Sequence, residues 1–264
     1  MQVSVSSMVF MAISAVISIG LPVVLFIIFY KKYNAKIIPM IMGIAGFILF
    51  ALIFERSIHS IVFGKYALRE KPLIYILYGV FMAGIFEETA RFISFRILKK
   101  KYNGIGTGLA YGIGHGGIEA ILLAGLSMIN TMIFSIMLNT GNIEAITGKL
   151  QGEALEQINT QMTAILTTSP YLFLVSGIER IFAICIQLSL SIMVFYSVYG
   201  KNKLWLYPFA IILHAIIDIP AAAMQVGVIK NTILVELLVF IGAIISIIIA
   251  KYTHERLKQN IMGK

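Results

Sequence analysis

The sequence has few charged residues and a single cysteine. Charged residues make up 12% of the 264 residues, too few to cover the surface of a soluble globular domain. Cys185 has no partner for an intrachain disulfide, and a sequence with one cysteine cannot contain a CxxC metal site. Hydrophobic side chains instead account for 59% of the chain, and the mean hydropathy is +0.93. These values predict an integral membrane protein.

Seven apolar runs are long enough to cross about 30 Å of hydrocarbon, which takes about 20 residues of helix. The sequence therefore predicts an all-α polytopic membrane protein, a bundle of about seven transmembrane helices. Residues 1–264 are expected to form a single transmembrane domain, with an active core at about 73–226. The predicted spans are Val5–Tyr30, Ile37–Phe54, Leu73–Leu98, Ile105–Leu138, Tyr171–Tyr199, Leu204–Val226 and Thr232–Ala250.

The net charge of +9 would suggest nucleic-acid binding in a soluble chain. Here the basic residues fall in short loops between apolar runs, so we expect the lipid bilayer as partner and no nucleic acid. Most of these residues lie near 31–36, 96–101, 201–203 and after 250, and the positive-inside rule then predicts an N-out, C-in orientation. The loop from Glu55 to Pro72 departs from this pattern, and an interfacial helix is expected there.

The third predicted span contains two adjacent glutamates and an arginine, in the stretch FEETARF. Each ionisable side chain at the centre of a bilayer costs about 2.5 to 3.5 kcal/mol on insertion scales, so such residues usually have a use. Arg91 follows Glu87 by four residues and Glu88 by three, and can neutralise one carboxylate. Neighbouring residues diverge by about 100° on a helix, so the other carboxylate points elsewhere. The structural alternative is a cluster that only joins helices.

Two later spans each carry a histidine and an acid one turn apart, His115 with Glu119 and His214 with Asp218. A single membrane histidine is more often a helix–helix hydrogen bonder than a catalyst. At ~1.5 Å per residue, however, Glu87, His115 and His214 all lie about 14 to 17 Å from the cytoplasmic ends of their helices. This shared depth predicts one polar layer made by three helices.

The fifth span contributes three further polar residues. Gln187 lies at the height of the polar layer, whereas Glu179 and Arg180 lie near the outer face. We expect Glu179 and Arg180 to form an ion-paired lid or anchor. Glycines repeated every four residues from 104 to 116 in the fourth span predict a smooth ridge where another helix can approach closely.

The motifs EExxR, GHGGxE, ER and HxxxD, in this order, resemble the YhfC-type glutamic intramembrane proteases of bacteria. These are distant relatives of the PrsW proteases and of the CAAX-type membrane proteases. The resemblance covers the third to the sixth span and implies hydrolysis of peptide bonds in a multi-pass protein of the bacterial plasma membrane. It implies Glu87 as the catalytic base and matches family positions to His115, His214 and Asp218. Gln187 stands where such sequences tend to carry a histidine, which weakens a metal-site interpretation.

The predicted activity is that of an intramembrane endopeptidase acting on a membrane-associated protein or peptide. A base must deprotonate water, and donors must hold the developing oxyanion. Glu87 is the predicted base, with Glu88 as the alternative, and His115 and His214 position the water and the oxyanion. The supporting residues are Arg91, Glu119, Asp218, Gln187, Glu179 and Arg180.

Metal-free glutamic catalysis is the favoured mechanism, with no cofactor, because the sequence contains no HExxH motif and no cysteine ligands. Zinc held by His115, His214 and Glu87 stays open, since three protein ligands and a water are a catalytic pattern.

Two other classes of function fit intramembrane charges. A proton-coupled transporter would also place acids, histidines and arginine in mid-membrane, but the spans show no internal repeat. A catalytically inert scaffold or immunity protein would keep the same cluster as structure alone. It predicts that Glu87→Gln leaves function intact.

Overall fold

The computed structural model describes residues 2–143, 147–148 and 150–257, and this part of the chain contains helices and no strand. Seven helices are long and apolar enough to cross a membrane, so the predicted all-α fold with seven spans is confirmed. The N-out orientation stays a prediction, and Lys149, Lys258 and Lys264, part of the basic pattern, lie outside the described residues. The spans are Val5–Tyr33, Ile37–Lys65, Pro72–Leu98, Ile105–Thr140, Pro170–Tyr199, Leu206–Gln225 and Thr232–Leu257.

Most spans are single α-helices, and two of the seven, the second and the fourth, consist of several segments. The helices are α1 (Val5–Tyr33), α2 (Ile37–Gly46), α3 (Arg56–Lys65), α4 (Pro72–Leu98), α5 (Ile105–Ala120), α6 (Leu126–Thr140), α7 (Gly152–Thr167), α8 (Pro170–Tyr199), α9 (Leu206–Gln225) and α10 (Thr232–Leu257). A first π-helix, Phe47–Glu55, joins α2 to α3, and a second, Ile121–Gly125, joins α5 to α6.

The second span is longer than predicted. Hydropathy falls at Glu55 and Arg56, which led to a predicted end at Phe54, but the helix continues to Lys65. It continues because Glu55 is buried against the protein at the end of the first π-helix, so this carboxylate does not need water at the helix end. The rest of the predicted loop holds only a short 3-10 turn, Leu68–Glu70.

The chain forms two compact units, and the prediction of one domain over 1–264 stays a prediction. The first unit contains residues up to Leu21 together with Ala120–Ile181. Its core consists of Val3, Met11, Phe134, Ile165 and Phe173. Asn139 closes one end of this unit, because its side chain accepts a hydrogen bond from Val3 N at 2.7 Å and donates one to Val3 O at 2.9 Å.

The second unit contains Pro22–Glu119 and the chain from Phe182 onward. Its largest core surrounds α8, whose most apolar stretch is 67% buried, the highest share of the seven spans. The glycines of α5 let α8 approach closely, since a Cβ at Gly112 would lie 3.1 Å from Leu188 Cα and a Cβ at Gly116 2.7 Å from Gln187 Cβ. Gly104 meets nothing within 4 Å, so the predicted ridge begins after it.

Candidate active site

The two adjacent glutamates of α4 face different histidines. Glu87 Oε2 lies 2.8 Å from His115 Nε2 on α5, and Glu88 Oε1 lies 2.7 Å from His214 Nδ1 on α9. The angular separation of neighbours on a helix explains this arrangement, because it points two consecutive side chains at two different helices. Three helices of the second unit therefore place two carboxylates and two imidazoles in one buried layer.

Arg91 ties the glutamate pair to α8. The Arg91 side chain is fully buried, and its Nη1 donates to Glu88 Oε1 at 2.6 Å while its Nη2 lies 3.6 Å from Glu87 Oε2. Its Nε donates to Ser191 Oγ at 3.1 Å, and its Nη2 also donates to Gln187 Oε1. One guanidinium thus compensates two buried carboxylates and fixes them relative to a neighbouring helix.

Gln187 brings α8 into the site, at the level that the sequence predicts for it. Its side-chain nitrogen Nε2 donates to Glu119 Oε2 at 2.6 Å and to Glu87 Oε2 at 3.1 Å. The amide therefore uses its oxygen on Arg91 and its two N–H groups on two carboxylates. The sequence places Glu119 one helical turn further along the membrane normal than Glu87. Both carboxylates nevertheless contact this amide.

A group of three potential metal ligands lies at the same place. Glu87, His115 and Glu119 each offer one ligand atom, and these atoms lie within 4.8 Å of one another. One imidazole and two carboxylates form a donor set that suits zinc, which takes three protein ligands and a water in catalytic sites. The residues present therefore fit a divalent metal ion, with Glu119 where the sequence-based zinc set has His214.

His214 instead lies between two carboxylates. Its Nδ1 faces Glu88, and its Nε2 lies 3.4 Å from Asp218 Oδ2, whose side chain is 38% exposed. The contact between Asp218 and the imidazole one turn away was expected from the HxxxD spacing. The series Glu88, His214 and Asp218 runs from a fully buried carboxylate to one that water can reach.

Two residues of the first π-helix border the site, and sequence reasoning missed them. The Phe47 ring meets the His115 ring edge to face, with centroids 5.2 Å apart. Glu55 is buried and lies within electrostatic range of Glu87, His214 and Asp218. The signal was present as a spacing of four residues between Phe47, Ala51 and Glu55, which are the buried residues of this segment.

Glu179 and Arg180 belong to the first unit, where they pair with each other. Arg180 Nε donates to Glu179 Oε2 at 2.6 Å, and Arg180 Nη2 donates to the same oxygen. An ion pair is therefore present, as predicted, and its role as lid or anchor stays a prediction.

Comparison with known proteins shows which family the chain belongs to. The family model described as YhfC intramembrane metalloprotease matches residues 17–239. The chain is 35% identical over 250 residues to "Uncharacterized membrane protein YhfC" of Bacillus subtilis (strain 168), covering 93% of this chain and 96% of that relative. No solved structure matches. The match covers all four sequence motifs and most of the spans, and the chain therefore belongs to the YhfC intramembrane metalloprotease family.

Proposed function

We propose that this chain is a zinc-dependent endopeptidase that cleaves a membrane-associated protein or peptide within the bilayer, at the group Glu87, His115 and Glu119. The observation that supports this most directly is the meeting of these three ligand atoms within 4.8 Å, in a buried layer of a membrane bundle. The metalloprotease name of the family points in the same direction.

The three clustered ligand atoms favour zinc catalysis over the metal-free glutamic mechanism. The sequence favoured metal-free catalysis with Glu87 as base, because an HExxH motif and cysteine ligands are absent. Two carboxylates and an imidazole supply a ligand set without either feature. When bound, zinc would act as a Lewis acid toward the scissile carbonyl and would lower the pKa of its water. Glutamic catalysis by Glu87 with His115 is the alternative that metal analysis separates from this proposal.

The remaining polar residues hold the substrate and the charged groups in place. Arg91 holds the Glu88 carboxylate in place, and Glu88 in turn fixes the ring of His214 through Nδ1. His214 Nε2 points toward Asp218, which is the more accessible end of this series. A substrate backbone that enters there meets an imidazole nitrogen as a hydrogen-bond partner for its carbonyl oxygen. Gln187 keeps the two carboxylates Glu87 and Glu119 together through its amide.

Comparative membrane proteomics of cells that express the wild type or Glu87→Gln tests the proposal, together with the metal content of the purified proteins. We expect an uncut membrane peptide to accumulate only with Glu87→Gln, and the wild type to contain zinc. Glu156→Gln is a matched control, because Glu156 is an exposed glutamate of α7.

Each alternative gives a different result. Cleavage by a protein that binds no metal favours the glutamic mechanism. Identical peptide profiles for the wild type and Glu87→Gln favour an inert scaffold or immunity protein. Proton-dependent uptake by vesicles that contain the purified protein, without any cleavage, favours a transporter.

A further inference from the structure

A second series of polar side chains begins at Glu55, at the end of the first π-helix. The buried face of this π-helix consists of Phe47, Ala51 and Glu55. At the start of this face, Phe47 contacts the His115 ring. At its end, Glu55 lies within electrostatic range of Glu87, His214 and Asp218. π-Helical segments occur frequently at functional sites, where the extra residue in a turn redirects a side chain. Glu55 is thus a further carboxylate beside the site.

His59 connects Glu55 to a tyrosine. Its Nε2 lies 3.1 Å from Glu55 Oε1, and its Nδ1 lies 2.9 Å from Tyr78 Oη on α4. The ring stacks on Phe63 at a centroid distance of 5.4 Å and meets Tyr78 at 5.2 Å. The imidazole is therefore held at both nitrogens and on its face, and its side chain is 24% exposed.

The order of burial along this series gives it a direction. Glu55 is 8% exposed, whereas His59 and Tyr78 are both half-buried. A histidine that bridges a buried carboxylate and a half-buried hydroxyl can take a proton at one nitrogen and release one from the other. A purely structural role would require only hydrogen bonds, which a glutamine at position 59 could also make.

We propose that Glu55, His59 and Tyr78 form a proton-transfer path between the peptidase site and water. The inference rests on the proposed function. Hydrolysis of one peptide bond by one water gives a carboxylic acid and an amine. In this step the acid ionises in the site and the amine leaves uncharged, so one proton, which balances the proton that the amine takes up in water, remains in the site. Glu55 takes this proton and passes it to His59 Nε2. His59 releases the proton on its Nδ1 to Tyr78 Oη, and the Tyr78 hydroxyl proton passes to water.

The charges that act on Glu55 come from the site and from its chain neighbour Arg56. Glu55 is influenced by Glu87 on α4, by His214 and Asp218 on α9 and by its neighbour Arg56. The polar partners of His59 are Glu55 and Tyr78. A proton gained or lost in the site therefore affects His59 through Glu55. A proton exchanged with water affects His59 through Tyr78.

Kinetics of the zinc-loaded wild type, His59→Gln and Tyr78→Phe test the path, with the solvent deuterium isotope effect on kcat as a second readout. We expect His59→Gln to lower kcat by about 100-fold, at the low end of acid–base contributions, with KM, zinc content and Tm unchanged. The isotope effect should rise, and added imidazole should restore turnover in His59→Ala. Tyr196→Phe and His254→Gln are matched controls, because Tyr196 Oη and His254 Nδ1 form another tyrosine–histidine pair at 2.6 Å.

A measurement that does not depend on cleavage separates this inference from the proposed function. NMR of protein labelled with 15N-histidine should show a change of the His59 signal in Glu55→Gln and in Tyr78→Phe, but not in Tyr196→Phe. A wild type that cleaves nothing overturns the proposed function. An active enzyme whose His59→Gln variant keeps the wild-type kcat and isotope effect overturns the path, as does a His59 signal that is indifferent to Glu55→Gln.

Discussion

Arg91 Nη1 lies 2.6 Å from Glu88 Oε1, and neither side chain has any exposed surface. This ion pair is local, since its residues are three apart on α4, yet it holds together a site built from four helices. Arg91 also reaches Glu87, Gln187 and Ser191. The same guanidinium therefore influences both the stability of the bundle and the arrangement of the candidate metal ligands.

Arg91→Gln should be strongly destabilising. Removing Arg91 breaks a buried ion pair and leaves the Glu88 carboxylate with the His214 contact in place of two partners, and breaking a buried pair in this way costs about 3 to 5 kcal/mol. Thermal unfolding in detergent measures the effect. The control is Lys251→Gln, because Lys251 and Glu255 form an exposed pair at 3.9 Å that contributes less than about 1 kcal/mol. Equal losses in the two variants would contradict the structural role of Arg91.

Glu119→Gln should remove metal from the purified protein. Glu119 offers one of the three ligand atoms, so the affinity for zinc should fall by at least about 100-fold, the upper range for loss of an outer-shell partner. Metal analysis after dialysis against a graded zinc buffer gives the measurement. Glu156→Gln should keep the wild-type content. Full zinc occupancy in Glu119→Gln would exclude the proposed ligand set.

His214→Gln separates the two zinc sets. We expect wild-type zinc content, since His214 is not among the three clustered donors, together with a loss of peptidase activity of about 100-fold. His254→Gln, on α10, should change neither quantity. If His214→Gln loses its zinc and Glu119→Gln retains it, the ligand set inferred from the sequence is the correct one.

Gly116→Ala should disturb the site through packing alone. The new Cβ would lie 2.7 Å from Gln187 Cβ, and overpacking of this kind costs about 1 to 3 kcal/mol. The displaced Gln187 amide should also reduce activity. Gly79→Ala on α4 is the matched control, because nothing lies within 4 Å of its Cβ and alanine favours a helix by about 1 kcal/mol over glycine. Gly79→Ala should therefore raise Tm while Gly116→Ala lowers it.

The seven spans were predictable because the cost of burying polar groups in lipid leaves a strong imprint on composition over about 20 residues. The end of the second span was not predictable in this way. Glu55 is polar by composition but buried in the fold, and the change from α- to π-helical winding within Phe47–Glu55 leaves no mark on hydropathy. Because of the same change in winding, hydropathy did not indicate that Glu55 lies beside the site.

The layer of Glu87, His115 and His214 could be predicted from depth, because helical rise is constant along each span. Depth alone treats Glu119 and Asp218 alike, each one turn from its histidine. In the fold Glu119 meets Gln187 and joins the candidate metal ligands, whereas Asp218 contacts His214 and is partly exposed. The difference depends on how α5 and α9 are rotated about their axes, which depth does not specify.

The sequence by itself determined the membrane location, the number of spans, the identity of the charged residues and the placing of Arg91 one turn from Glu87 and Glu88, because these depend on composition and on spacing within one helix. Only the tertiary structure decided that Glu87 meets His115, that Glu88 meets His214 across 126 positions and that Gln187 lies between two carboxylates. These contacts join different helices, and they depend on close packing at small residues such as Gly112 and Gly116 and on the direction in which each helix turns its polar face.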